Sequence, residues 1–192
     1  GDCAGALTLL PPEQQTASQW ETTPLALDKL AQWAAYRERY SLMGSNGDDH
    51  LPRLSLAGAQ DKIPVVLDNG ELKLPRGATP SSHILKFAVE GRELIVLNEL
   101  FLNTLARLAG LACPTTTLGQ AEGHAYLLVE RYDRSGIGTQ ALRRLHQEDF
   151  CQATGLSRIE KYQVPDGPRF GQCIAAARQA CRPSATSIQH LL

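Results

Sequence analysis

Residues 83–111, HILKFAVEGRELIVLNELFLNTLARLAGL, decide how this chain folds. The first seven form an apolar run broken by one lysine, Lys86, and read as a strand. From Val96 onward the pattern turns helical. Leu97, Phe101, Leu105 and Leu108 recur at helical spacing and line one face. Gly110 suits the C-terminal cap, and Pro114 forbids continuation. A lysine inside an apolar strand must either snorkel to water or find a partner. Glu99 falls in the first turn of the expected helix.

Upstream, KIPVVL (62–67) reads as a strand, with Pro64 pointing to an edge position because proline cannot donate to a ladder. Asp68-Asn69-Gly70 before ELKL is a hairpin signal, since Asn-Gly tolerates positive φ. LPRGATPSS reads as loop. Residues 25–41 place Leu27, Leu30, Ala31, Ala34 and Ala35 at helical spacing, and GSNGDD then breaks the pattern. GALTLL at the start reads as a strand entered partway. Downstream, PTTTLGQ and HAYLLVERY read as two more strands and DRSGIGTQ as a loop. QEDFCQATG opens a helix with Glu148 and Asp149 at its favourable end. RFGQCIAAARQACR is a further helix, and SATSIQHLL the opening of another. The expected fold class is therefore α+β: an antiparallel sheet with one packed helix, followed by helices.

With 192 residues and a net charge of −1, the chain has room for a real core. It lacks the strong basic excess of proteins that hold nucleic acid by its backbone. No uncharged apolar run approaches membrane-spanning length, and no signal peptide is visible. Cys3, Cys113, Cys151, Cys173 and Cys181 are odd in number and contain no CxxC pair, which argues against a disulfide framework and a zinc site. Free thiols in a reducing cytoplasm are the simplest reading.

Several stretches could do chemistry, each with a plainer alternative. In SLAGAQDK (55–62) the small residues Ala57, Gly58 and Ala59 let backbone N–H groups approach an anion, with Gln60 beside them and Lys62 adding charge. The same residues also make an ordinary turn into a strand. Neither GxxxxGK[ST] nor GxGxxG is present. Lys86 matches the strand lysine with which nucleotide-binding lobes hold phosphates, and Glu99 the helix glutamate that fixes such a lysine in kinases. The alternatives are a solvent-facing lysine and an unpartnered helix-start acid. LLVERYDR (127–134) runs from an apolar strand into a charged connector, as a kinase hinge does, or as any edge strand ending in a turn. His146 has no partner at HExxH spacing and reads as a surface residue.

Taken in order, SLAGAQDK, RGATPSSHILKF, NELFLNTLARLAGL, LLVERYDR and RLHQEDFCQATGL…KYQ…DGP resemble the HipA-like serine/threonine kinases, the toxins of bacterial toxin–antitoxin modules. The resemblance runs from about residue 51 to about 180. It implies a kinase-like ATP-binding lobe over 51–134, preceded by the tail of an N-terminal subdomain (1–50) and followed by the beginning of a helical lobe (135–192). It implies ATP with Mg²⁺ and phosphoryl transfer to a protein serine, leading to growth arrest. Ser55 is the implied regulatory phosphorylation site and residues 57–60 the loop over the phosphates. Lys86 is the implied phosphate-binding lysine. Glu130 and Tyr132 are expected to meet adenine through their backbones, with Asp133 near the ribose. Tyr132 stands where the family more often has phenylalanine.

The implied partners are a small DNA-binding antitoxin of the HipB type and a protein substrate such as an aminoacyl-tRNA synthetase, with operator DNA reached only through the antitoxin. No membrane and a cytoplasmic location are expected. The family's D-x-H-x-K-N stretch and later metal aspartate are not found in residues 1–192, so no catalytic residue and no metal ligand is assigned here. Two readings follow: a portion of a HipA-type kinase, or a catalytically dead lobe that binds a partner. A weaker third is a small α+β domain without a ligand.

Overall fold

The computed structural model describes residues 4–7, 20–26, 28, 30, 62–88, 91–139, 141–157, 160 and 169–181. The chain clusters into two compact units, Gly1–His146 and Gln147–Leu192.

The first unit is built on a six-stranded sheet of order β1-β3-β2-β4-β6-β5. Its strands are β1 (Glu21–Pro24), β2 (Lys62–Asp68), β3 (Glu71–Arg76), β4 (His83–Phe87), β5 (Thr116–Ala121) and β6 (His124–Glu130). All its pairings are antiparallel. The β2–β3 hairpin turns on Asn69 (φ 50°) and Gly70 (φ 83°), the positive-φ pair that Asn-Gly supplies. Helix α1 (Ile95–Leu108) connects β4 to β5. A short pair, β7 (Arg134–Ser135) with β8 (Arg143–Arg144), follows β6.

Because side chains alternate along a strand, the sheet has two unlike faces. One carries a core of Leu25, Leu30, Val65, Leu74, Leu85, Phe87, Ala121 and Leu128. There Phe87 meets Tyr126 edge to face, ring centroids 6.3 Å apart. Tyr126 in turn lies across Gly119, where a Cβ would come within 2.2 Å of its ring. The other face receives α1 through Val96, which packs with Leu127 and Val129.

Three expectations need correction. Pro64 lies in an interior strand, not at an edge. Pairing of β2 with β3 begins only at Val66, so Pro64 sits where β2 pairs with β4 alone and one side of the ladder is not yet occupied. The stripe Leu97, Phe101, Leu105 and Leu108 is exposed, whereas Val96 is buried against the sheet. Residues 4–6 form a bend and turn with Gly5 at φ 68°, not a strand. Of the helix expected over 25–41, the described residues show Leu30 donating to the Ala26 carbonyl at 3.2 Å.

In the second unit, α2 (Phe150–Thr154) begins at Asp149 with a reciprocal capping box to Gln152 and ends at Gly155 in the left-handed region. Helix α3 (Phe170–Ala180) packs against α2 and buries Ala176 and Ala177. The stretch 184–192 lies outside the described residues. Among the described residues no helix is long and apolar enough to cross a membrane.

Candidate functional site

Strand β4 alternates His83, Leu85 and Phe87 into the core face with Ile84 and Lys86 onto the α1 face. The register sets Lys86 opposite Lys62 of β2 on one side and Leu127 of β6 on the other. Directly opposed residues share a face with Cβ atoms about 5 Å apart. Two lysines therefore share one face of the sheet.

The counter-charge comes from the helix. Glu99 lies three residues after buried Val96 and so falls on the same sheet-facing side. Its carboxylate accepts a hydrogen bond from Lys86 Nζ, with both side chains mostly shielded from water. Glu99 sits one residue deeper than expected, just past the first turn, because the helix begins at Ile95. The Lys86 ammonium is thereby held in one place on the α1 face of the sheet.

The second element of the site is the end of β6 and its connector. Glu130 N–H donates to the Thr115 carbonyl at 2.9 Å, whereas Arg131 N–H donates to the Ser82 carbonyl at 3.0 Å, on the opposite side. Backbone groups of an extended residue point the same way, so the Glu130 carbonyl faces the Thr115 side, away from β4. Tyr132 turns its side chain to solvent.

Asp133 is buried, and its carboxylate is already engaged. Arg131 donates through Nε to Oδ1 at 2.9 Å and through Nη2 to Oδ2 at 2.7 Å. Gly5 N–H reaches Oδ2 at 2.7 Å, and Arg134 Nη1 lies 3.1 Å from it. Burial pushes this carboxyl up, but the Arg131 hydrogen bonds, the Gly5 N–H and the two guanidinium charges outweigh it and hold the group below its ordinary value. A role beside a ribose would compete with these donors.

His83 lies across from Glu130 in register, with Nδ1 2.8 Å from Ser82 Oγ. Burial pushes its pKa down, against the opposing pull of Glu130.

The structure thus bonds Lys86 to Glu99, sets Lys62 opposite Lys86 in the ladder, and places Glu130, Tyr132 and Asp133 in one connector. Ser55, Ala57, Gly58, Ala59 and Gln60 lie outside the described residues. His146 is exposed. Among the described residues no group of three His, Cys, Asp or Glu could hold a metal ion. Sequence reasoning missed Arg131, Arg134 and Gly5 as partners of Asp133, and Ser81 as an acceptor for both guanidinium groups. The only signal was the alternation of charge in Arg131-Tyr132-Asp133-Arg134.

An antiparallel sheet with one packed helix, and a strand lysine held by that helix's glutamate, define an α+β domain of the HipA-like C-terminal type, a family that matches residues 54–192. The chain belongs to the HipA family. It is 38% identical over its whole length to a Sinorhizobium fredii protein named "Putative kinase Y4mE", covering 46% of that protein. It is 31% identical over 75% of its length to a Shewanella oneidensis protein named serine/threonine-protein kinase toxin HipA, covering 35% of it. A solved structure of the Shewanella oneidensis toxin–antitoxin system HipA, HipB and its operator DNA aligns over 98% of this chain, with a TM-score of 0.77 and 27% identity. That alignment covers 45% of the matched chain. The chain therefore spans less than half the length of these relatives.

Proposed function

We propose that this chain carries the ATP-binding part of a HipA-type protein kinase. The observation that carries the reading is the Lys86–Glu99 pair, set across the strand ladder from Lys62. A lysine fixed by a helix glutamate presents its charge in one place, which is what phosphate oxygens need during phosphoryl transfer. Lys86 and Lys62 hold the phosphates, with residues 57–60 closing over them. The backbones of Glu130 and Tyr132 meet the adenine edge. Magnesium, when bound with ATP, would neutralise charge on the phosphates; no residue is assigned to it.

The reaction is transfer of the γ-phosphoryl group to a serine hydroxyl of a protein. An oxygen–phosphorus bond forms to the serine, the bridging bond to the leaving ADP breaks, and the serine proton is lost. Phosphorylation of Ser55 would put a negative group beside the phosphate pocket and oppose ATP. A HipB-type antitoxin is the proposed partner, supported by the composition of the structural relative. An aminoacyl-tRNA synthetase is the proposed substrate.

Titration calorimetry with ATP and Mg²⁺ on the protein and on Lys86→Met tests the site. Loss of one charge-assisted contact to phosphate predicts affinity weakened about tenfold or more. Equal affinities with an unchanged fold would remove Lys86 from any phosphate site.

A further inference from the structure

We infer that Arg131, Asp133 and Arg134 form a buried positioning cluster that holds the 130–133 backbone in the shape that recognises a purine, so that base selectivity depends on side chains that never touch the base. The inference rests on the nucleotide reading above and assigns these residues a role within it.

The connector has an unusual problem to solve. Recognition through backbone groups requires a fixed backbone, yet the chain leaves the sheet at Arg131 and turns at Tyr132 and Asp133. Tyr132 gives that turn little packing, being 68% exposed. The fixing comes from its two neighbours. The Arg131 guanidinium grips both oxygens of Asp133, so an ion pair bridges over Tyr132 from one side to the other. A two-pronged guanidinium–carboxylate contact fixes orientation as well as distance.

The cluster is also tied to three other segments. Arg131 Nη1 donates to Ser81 Oγ at 3.0 Å, and Arg134 Nε to the Ser81 carbonyl at 2.9 Å. Arg134 Nη1 reaches the Gly5 carbonyl at 3.2 Å and the Asp133 carbonyl at 2.9 Å. Leu145 N–H also donates to the Asp133 carbonyl, at 2.9 Å. The loop after β3, the turn at Gly5 and the end of β8 therefore all converge on one short stretch of backbone.

Stability alone is a poor reason for this arrangement. The side chains of Arg131, Asp133 and Arg134 are 1%, 5% and 0% exposed. Three charged side chains are thereby withdrawn from water. Buried ion pairs are often no better for stability than apolar packing of the same volume, because desolvation offsets the attraction. What they give here is a single geometry. The Asp133 carboxylate accordingly serves as the anchor of the connector.

The test separates base from phosphate recognition. Binding of ATP, GTP and inorganic tripolyphosphate is measured by titration calorimetry on the protein and on Arg131→Lys, which keeps the charge but loses the fork. A positioning role predicts ATP affinity reduced about tenfold, an ATP-to-GTP preference falling toward one, and tripolyphosphate binding unchanged, since Lys86 and Lys62 are untouched. An unchanged ATP-to-GTP ratio in a folded Arg131→Lys protein overturns the inference while leaving the nucleotide site standing. Equal weakening of all three ligands overturns it too, since it marks a purely structural role. Absence of ATP binding by the unsubstituted protein overturns the nucleotide reading itself and the inference with it. If Arg131→Lys does not fold, Ser81→Ala, which removes one hydrogen bond from the guanidinium, must lower the ATP-to-GTP ratio at least twofold; an unchanged ratio there overturns the inference.

Discussion

The two faces of the central sheet are made from the same strands and do opposite things. Toward the core, β4 presents His83, Leu85 and Phe87, which bury with Val65, Leu74 and Leu128. Toward α1 it presents Lys86, opposite Lys62 and bonded to Glu99. A strand needs only a period of two to put an apolar core on one face and a lysine–glutamate pair on the other. Substitutions on the core face should register as unfolding, and under the proposed function Lys86 substitutions should register as lost phosphate binding.

The largest effect expected from breaking this comparison is on the core side. Phe87→Ala removes a ring that is 2% exposed and in contact with Tyr126, and should cost about 3–5 kcal/mol in denaturant unfolding. A loss below about 1 kcal/mol would mean that this face is not the core that holds the sheet together.

A smaller effect comes from pH. His83 sits at the core-facing end of β4 and its folded pKa is lowered from the ordinary 6.5. As pH falls below that value the unfolded chain binds a proton that the folded chain still refuses, so folding stability declines. The decline should begin near pH 6.5 and continue down to the folded pKa, and unfolding curves taken between pH 8 and 5 should show it. His83→Gln should flatten that part of the profile, and an identical profile in the variant would exclude His83 as its source. Asp133 acts in the same direction at lower pH. Its folded pKa lies below the ordinary 3.8, so its contribution is present above that value and lost as pH falls through the folded one.

The smallest change in stability is expected on the outer side of α1. Phe101 and Leu105 are apolar, helical and exposed. Phe101→Ser and Leu105→Ser should each alter unfolding free energy by no more than about 0.5 kcal/mol. They should nonetheless reduce self-association in light scattering, because contiguous exposed apolar residues promote it. Phe101→Ser that destabilised as strongly as Phe87→Ala would erase the contrast between buried and exposed faces.

The position of α1 was legible in the sequence, but its orientation was not. Leu97, Phe101, Leu105 and Leu108 form the richer apolar stripe, and periodicity favours the richer stripe as the inner one. The sheet-facing side instead uses Val96, Leu100 and the polar Glu99, and a charged group on that side weakens the periodic signal. Lys86 and Glu99 could be found because a lysine in an apolar strand demands an account. The burial of Arg131, Asp133 and Arg134 could not, since charged residues in a connector normally face water and only the fold shows them inside. Strands β1, β7 and β8 escaped for a simpler reason. ETTP, RS and RR are too short and too polar to alternate visibly, and their pairing is dictated by neighbours already in place.

The hydrogen bond from Gly5 to Asp133 joins residues 128 positions apart. During synthesis at roughly 5–20 residues per second, Gly5 waits on the order of ten seconds for its partner to be made. Through that interval β2, β3 and β4 can pair among themselves, while β6 leaves the ribosome only just ahead of the connector. Interior strand and connector therefore reach their places almost together, and a ribosome paused at Asp133 would hold both back.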